Sequence, residues 1–191
     1  MKIAVLAVQG AFIEHEKALW RLGAETVELR KAADLEQDFD GLVLPGGEST
    51  VQSRLLKELS MLEPLKEKIE QGLPVLATCA GLILLAQEVS NDKKRCFATL
   101  PVTVKRNAYG RQLGSFHCEE NIKGIGQFPM EFIRAPYVET VGKDVEILAR
   151  VEEKIVGVSY GNQIAFAFHP ELSGNDAVHR EFLELIKVSN D

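Results

Sequence analysis

The sequence predicts an α/β protein with a mostly parallel central sheet, helices on both of its faces and an added antiparallel portion in the second half. Three observations carry this. Aliphatic runs of strand length alternate with helical patterns through the first half of the chain. Beyond residue 100, short strand-like segments follow one another with hairpin-type turns between them. The 191 residues contain no repeat, low-complexity tract or linker, so 1–191 reads as one domain, large enough for a sheet covered on both sides.

In order, Lys2–Val8 is an aliphatic strand, and Ile13–Leu22 has helical spacing at Ala18, Leu19 and Leu22, with Gly23 as a stop. Glu25–Leu29 and Gly41–Leu44 read as strands, the latter running into Pro45-Gly46-Gly47. Helices are expected from near Ser49 to Leu59 and from about Met61 to Gln71, then a strand over Pro74–Thr78 and a helix over Ala80–Gln87. Later strand candidates are Val102–Val104, Phe132-Ile133, Val145–Val151, Ile155–Tyr160 and Gln163–Phe168, before a last helix from about Asp176 to Val188.

Composition narrows the function. A net charge of −6 argues against broad steering toward nucleic acid or an anionic membrane. No apolar run is long enough to span a bilayer, and Met1–Val8 passes directly into Gln9-Gly10 and an amphipathic segment, as a buried strand does and a signal peptide does not. Cys79, Cys96 and Cys118 are odd in number and widely spaced, with no C-x-x-C pair. That argues against a disulfide framework or structural zinc and for a reducing cytoplasm; no cofactor or metal is expected.

Cys79 sits where a buried strand runs into a helix, with Ala77 and Gly81 two residues away on either side. Small residues there permit the sharp turn of a nucleophile elbow at the carboxyl end of a strand, where open α/β sheets bind ligands. The first amides of the following helix favour a thiolate, and the Ala80 N–H is a candidate oxyanion donor. A buried structural cysteine is the competing reading. In His169-Pro170-Glu171, residues two apart share a face of an extended chain, so His169 can reach a sulfur while Glu171 holds its other nitrogen. The competing reading is a surface loop histidine beside an ordinary glutamate. His15 and His179 read as surface residues of helices, and His117 beside Cys118 points to the opposite face of a strand, poorly placed for proton transfer. Cys96, after Lys93-Lys94-Arg95, falls in a polar loop.

Pro45-Gly46-Gly47-Glu48-Ser49 lies between a strand and a helix; its glycines allow close approach to a ligand, and the Gly47 N–H is a second candidate oxyanion donor. The phosphate-loop pattern G-x-x-x-x-G-K-[ST] is absent, and a plain turn with a cap explains the segment equally well. Arg106, at the head of Arg106–Gln112, and Arg134, within Ile133–Pro136, are each suited to clamp a carboxylate or to make a structural ion pair.

Together, AVLAVQGAF, LPGGEST, TCAGLILLA, RNAYGRQ, FIRAP and FHPEL resemble the class I, triad-type glutamine amidotransferases, over nearly the whole chain. The combination of GGEST, RNAYGRQ and IRAP is most similar to the glutaminase subunits of pyridoxal 5′-phosphate synthases. The resemblance implies a three-layer, flavodoxin-like fold. It implies hydrolysis of L-glutamine with Cys79 as nucleophile, His169 moving the proton and Glu171 orienting it, over an oxyanion hole of Gly47 and Ala80. Gly46, Gly47, Glu48, Arg106, Ile133 and Arg134 would surround the substrate, and Gln9 would contact the partner. The resemblance implies a partner that is a (β/α)8-barrel subunit of a large hetero-oligomer, which builds the vitamin from ribose 5-phosphate (or ribulose 5-phosphate) and glyceraldehyde 3-phosphate and activates its glutaminase on docking. Val51-Gln52 and His117-Cys118 depart from the pattern, where Thr-Met and an acidic residue are expected. A glutaminase for another ammonia-using synthase and a cysteine hydrolase of similar fold are the alternatives.

Overall fold

A computed structural model describes residues 1–90, 92–93, 95–106 and 114–189. The first half comprises β1 (Lys2–Leu6), α1 (Phe12–Arg21), β2 (Glu25–Leu29), β3 (Gly41–Leu44), α2 (Ser49–Glu58), α3 (Leu62–Glu70), β4 (Val75–Thr78) and α4 (Ala80–Leu85). Then come β5 (Ala86–Val89), β6 (Leu100–Lys105), β7 (Ser115–Ile122), β8 (Gly126–Ile133), β9 (Tyr137–Val141), β10 (Glu146–Val151), β11 (Lys154–Tyr160), β12 (Gln163–Phe166) and α5 (Ala177–Ser189). Short 3₁₀ turns occupy Ala32–Glu36 and Pro170–Leu172.

The main path of the sheet runs β2-β1-β3-β4-β12-β11-β10-β7-β8. Its first five strands are parallel, and antiparallel pairing begins at β12–β11. This is the α/β arrangement expected, and the order reverses between β1 and β3. At such a switch point the loops leaving neighbouring strands diverge and open a crevice. β3, β4 and β12 are buried along their whole length, as parallel strands covered on both faces must be. No helix among the described residues is long and apolar enough to cross a membrane.

Several elements depart from expectation. The helix expected over Ala80–Gln87 stops at Leu85, because Ala86 turns extended and its strand pairs in parallel with β6. β7, β9 and most of β8 are absent from the strands read in the sequence. The Ser115–Ile122 strand carries charge and is only half-buried, so it lacks an apolar signal; its eight-pair ladder with β8 holds it instead. Phe116 and Phe132 stack across that ladder with centroids 4.4 Å apart.

Candidate active site

Cys79 follows β4 and precedes α4, with φ 48° and ψ −101°. A non-glycine residue there is strained, and the neighbours enforce it. The Cys79 N–H donates to the Phe166 carbonyl of β12 at 2.8 Å. Gly81 presses against β3, where an added Cβ would lie 2.9 Å from the Leu44 carbonyl carbon and closer still to its oxygen. The helix must therefore start abruptly, which turns the thiol out at the end of the strand. Ala80 is the first residue of α4, so its N–H has no acceptor within the helix.

His169 arrives from β12, the strand beside β4, and its N–H donates to the Glu131 carbonyl of β8 at 2.8 Å. Its ring lines the same cavity as Cys79, close enough for the thiol to favour the protonated imidazole, while Nδ1 lies 2.7 Å from Glu171 Oε1. The extended geometry expected for this segment is corrected by the structure. β12 ends at Phe166, and Pro170 opens a 3₁₀ turn, where its missing N–H costs nothing. The turn brings the Glu171 carboxylate back under the ring.

The loop after β3 forms the facing wall. Thr78 Oγ1 accepts the Gly46 N–H at 3.1 Å, and Gln9 Oε1 accepts the Glu48 N–H at 2.8 Å, which fixes the Gly47 peptide between two anchored ones. Gln52 donates through Nε2 to the carbonyls of Gln9, at 2.9 Å, and Pro45, at 3.2 Å. Gly10 allows the β1 loop to touch this one, since a Cβ there would lie 3.0 Å from the Gly46 carbonyl carbon.

A cavity of about 230 Å³ at the carboxyl ends of these strands is lined by Gln9, Gly46, Gly47, Glu48, Cys79, Arg106, Ile133, Arg134 and His169. Every expected site residue faces it except Ala80 and Glu171, the latter hidden behind His169. Cys79 Sγ lies 4.0 Å from the Ile133 carbonyl oxygen. Arg106 is ion-paired with Asp92 at 2.8 Å and donates to Thr50 Oγ1 at 3.2 Å, and Arg134 takes φ 43°. Residues 107–112 of the RNAYGRQ motif lie outside the described residues.

His15 and His179, read from sequence as surface residues, are both fully buried. His15 Nδ1 lies 2.9 Å from His179 Nε2, and His15 Nε2 lies 3.1 Å from Thr78 Oγ1 and 3.3 Å from Glu171 Oε2. A signal for both existed. His15 shares a face with Ala18 and Leu19, and His179 with Phe182, Leu183 and Ile186, at the spacing of a buried helix stripe. As expected, His117 faces away from chemistry, pairing with Glu131 across the ladder at 2.8 Å. Burial pushes the Cys96 and Cys118 thiols up.

Electrostatics divide the histidines. Burial alone would lower the His169 pKa, but hydrogen bonds with Cys79 and Glu171 override it and raise the value to about 10. Burial opposes ionisation of Glu171 too, yet the His15 and His169 rings facing it hold its pKa below the usual carboxylate range. Burial depresses His15 and takes His179 down to about 3, the latter with help from the His15 ring. Below pH 6.5 the unfolded chain therefore binds protons that these two native histidines refuse, so stability falls as pH drops from 6.5 toward 3. Each fully responding group contributes a slope of about 1.4 kcal/mol per pH unit. His169 acts in the opposite window: its stabilisation is complete below 6.5 and is lost as pH rises through 10. Urea denaturation from pH 7.5 to 4.5 should show a steep acid limb, made shallower by about 1.4 kcal/mol per pH unit in His179→Gln. An identical limb in the variant contradicts this assignment.

Comparison with known proteins accords with this geometry. The model of the SNO glutamine amidotransferase family matches residues 5–188. A protein of Desulfitobacterium hafniense (strain DSM 10664 / DCB-2), named pyridoxal 5′-phosphate synthase subunit PdxT, is 66% identical over 97% of this chain and 94% of its own. A Haemophilus influenzae (strain PittEE) protein of the same name is 52% identical over 99% of this chain and 100% of its own. A crystal structure described as a glutamine amidotransferase superposes with a TM-score of 0.92 at 42% identity, covering 97% of this chain and 98% of its own. With a family match along almost its whole length, and relatives far above the identity at which folds diverge, this chain belongs to the SNO glutamine amidotransferase family.

Proposed function

We propose that the chain is the glutaminase subunit of a pyridoxal 5′-phosphate synthase. It hydrolyses L-glutamine to L-glutamate and ammonia and hands the ammonia to a synthase subunit. The observation that carries this reading is one imidazole, His169, that shares a cavity with Cys79 and is bonded through Nδ1 to Glu171, beside a loop of anchored amides.

The Cys79 thiolate attacks the side-chain carboxamide carbon of glutamine, and the N–H groups of Gly47 and Ala80 stabilise the oxyanion. His169, protonated by the thiol, gives its proton to the departing ammonia, leaving a glutamyl thioester. Water, deprotonated by His169, then releases glutamate and restores the thiol. Glu171 keeps the imidazole oriented and stabilises its positive form throughout. Glu48, Arg106, Ile133 and Arg134, around the cavity, hold the amino-acid end of the substrate, with Arg106 turning from Asp92 to the α-carboxylate. Gln9 braces the loop and lies near the surface a partner would cover. The partner in this reading is a (β/α)8-barrel synthase joined in a hetero-oligomer in the cytoplasm, consuming a pentose 5-phosphate and glyceraldehyde 3-phosphate. The names of relatives up to 66% identical favour this synthase over other ammonia users, which the fold alone would serve equally.

Glutamate release, measured with and without the barrel synthase and alongside pyridoxal phosphate formation, tests the proposal. Glutamate produced in the presence of the synthase, with vitamin formed from glutamine, is the expected result. Hydrolysis of peptides or esters with indifference to glutamine overturns it.

A further inference from the structure

We propose that His15 is a positioning residue of this site: a neutral imidazole, held in one tautomer by His179, that ties the Glu171 carboxylate to the loop carrying Gly46 and Gly47. The inference rests on the glutaminase reading and deepens it.

The geometry selects the tautomer. His15 Nε2 faces Glu171 Oε2 at 3.3 Å and Thr78 Oγ1 at 3.1 Å. Were Nε2 unprotonated, its lone pair would oppose an ionised carboxylate at a buried site, where little screens the repulsion. In addition, His15 Nδ1–H would then donate to His179 Nε2, leaving a proton on His179 Nδ1, which is buried without a hydrogen-bond partner. An orphaned buried donor is costly. With Nε2 protonated, both problems vanish. His179 Nε2–H donates to His15 Nδ1, His15 Nε2–H points between Thr78 and Glu171, and His179 Nδ1 is a bare lone pair.

Two consequences follow from that arrangement. Glu171 Oε1 is hydrogen-bonded to His169, while Oε2, which has no hydrogen-bond partner, lies 3.3 Å from His15 Nε2, a polar edge that favours keeping the carboxylate turned toward the imidazole. Thr78, which His15 touches, also accepts the Gly46 N–H, so one ring connects the carboxylate behind the base with the wall opposite the thiol. A neutral donor does this without a competing charge; a buried lysine or arginine would neutralise Glu171 and remove its hold on the His169 imidazolium. The charged groups acting on the pair are Glu171, His169 and Glu14 at His15, and Glu171, Asp176 and Arg21 at His179.

Three variants test this: His15→Leu, which has no donor; His15→Gln, whose amide can donate from near the Nε2 position; and His179→Leu, which leaves every atom touching Glu171 in place. Two readouts are taken on the assembled complex, steady-state glutamate release and the pH dependence of Cys79 alkylation by iodoacetamide, followed by peptide mass mapping. His15→Leu should lose roughly 10- to 100-fold in kcat with little change in KM. Its alkylation midpoint should rise by about one pH unit, a tenfold loss of thiolate near neutrality. His15→Gln should stay within a few-fold of the parent in both readouts, and His179→Leu should shift alkylation in the same direction by less. Leucine and glutamine variants equally impaired, with alkylation profiles unmoved, would reduce His15 to packing and overturn the proposal. If His15→Leu does not fold, an unshifted profile in His179→Leu overturns it as well. Absence of glutamine hydrolysis in the parent would instead defeat the functional reading, while the alkylation profile still decides the role of His15.

Discussion

Cys79→Gly is expected to abolish glutamine hydrolysis, by roughly 10⁴-fold or more, and yet to be more stable than Cys79→Ala. The activity loss follows from removing the nucleophile. The stability order follows from the backbone. Cys79 holds φ 48° and ψ −101°, a conformation that a residue with a Cβ enters only under strain, at about 1–3 kcal/mol. Alanine keeps that strain, whereas glycine relieves it. Elsewhere glycine is the worse choice by roughly 0.5–1 kcal/mol, because it gains more freedom on unfolding. At this elbow the order should reverse, with glycine ahead by about 1–2 kcal/mol. Urea denaturation of the two variants reads the difference directly, and alanine equal to or above glycine would show that the elbow is unstrained. A confirmed reversal would mean that the protein gives up stability to hold its thiol at the end of the strand.

Gly46→Ala should cost about 100-fold in kcat while leaving the fold intact. Gly46 is not among the residues with positive φ, so alanine meets no backbone penalty. The conflict is with one side chain: an added Cβ would lie 2.9 Å from His169 Nδ1 and closer still to Cε1. The ring must withdraw, and the pressed Nδ1 is the atom that Glu171 holds at 2.7 Å, so withdrawal disturbs that hydrogen bond or the placement of the ring beside Cys79. Glutamate release with the partner present and a thermal melt of the same sample separate the two effects. A kcat within threefold of the parent would show that the imidazole has room to spare, contrary to this geometry.

Cys79, His169 and Glu171 were legible because each sits in a local pattern with a mechanical meaning: small residues around a strand-to-helix turn, and a proline between an imidazole and a carboxylate. The segment was read as extended throughout, whereas only His169 stays outside helical geometry and Pro170 starts a 3₁₀ turn that carries Glu171 back to the ring. The parallel half of the sheet was legible from its aliphatic runs, whereas β7, with His117, Glu119 and Glu120 along it, looks like a surface loop until its partner strand is known. His15 and His179 were missed because a histidine on a helix was weighed by itself. The apolar residues three and four positions further on already placed each on the inward face. Gln52, a departure from the family pattern, proved to be fully buried and bonded to two loop carbonyls, a role that no local pattern announces.

The pairing of β4 with β12, Thr78 opposite Phe166, also sets when the chemistry comes into being. The sulfur is synthesised long before the base that will share its proton, because the intervening chain must first build the antiparallel strands that deliver β12. A nascent chain still short of residue 169 carries a cysteine with no imidazole beside it, and hence an ordinary, sluggish thiol. The last parallel strand to dock is therefore the step that arms the enzyme, and a chain truncated before it should be inert however well its first half has folded.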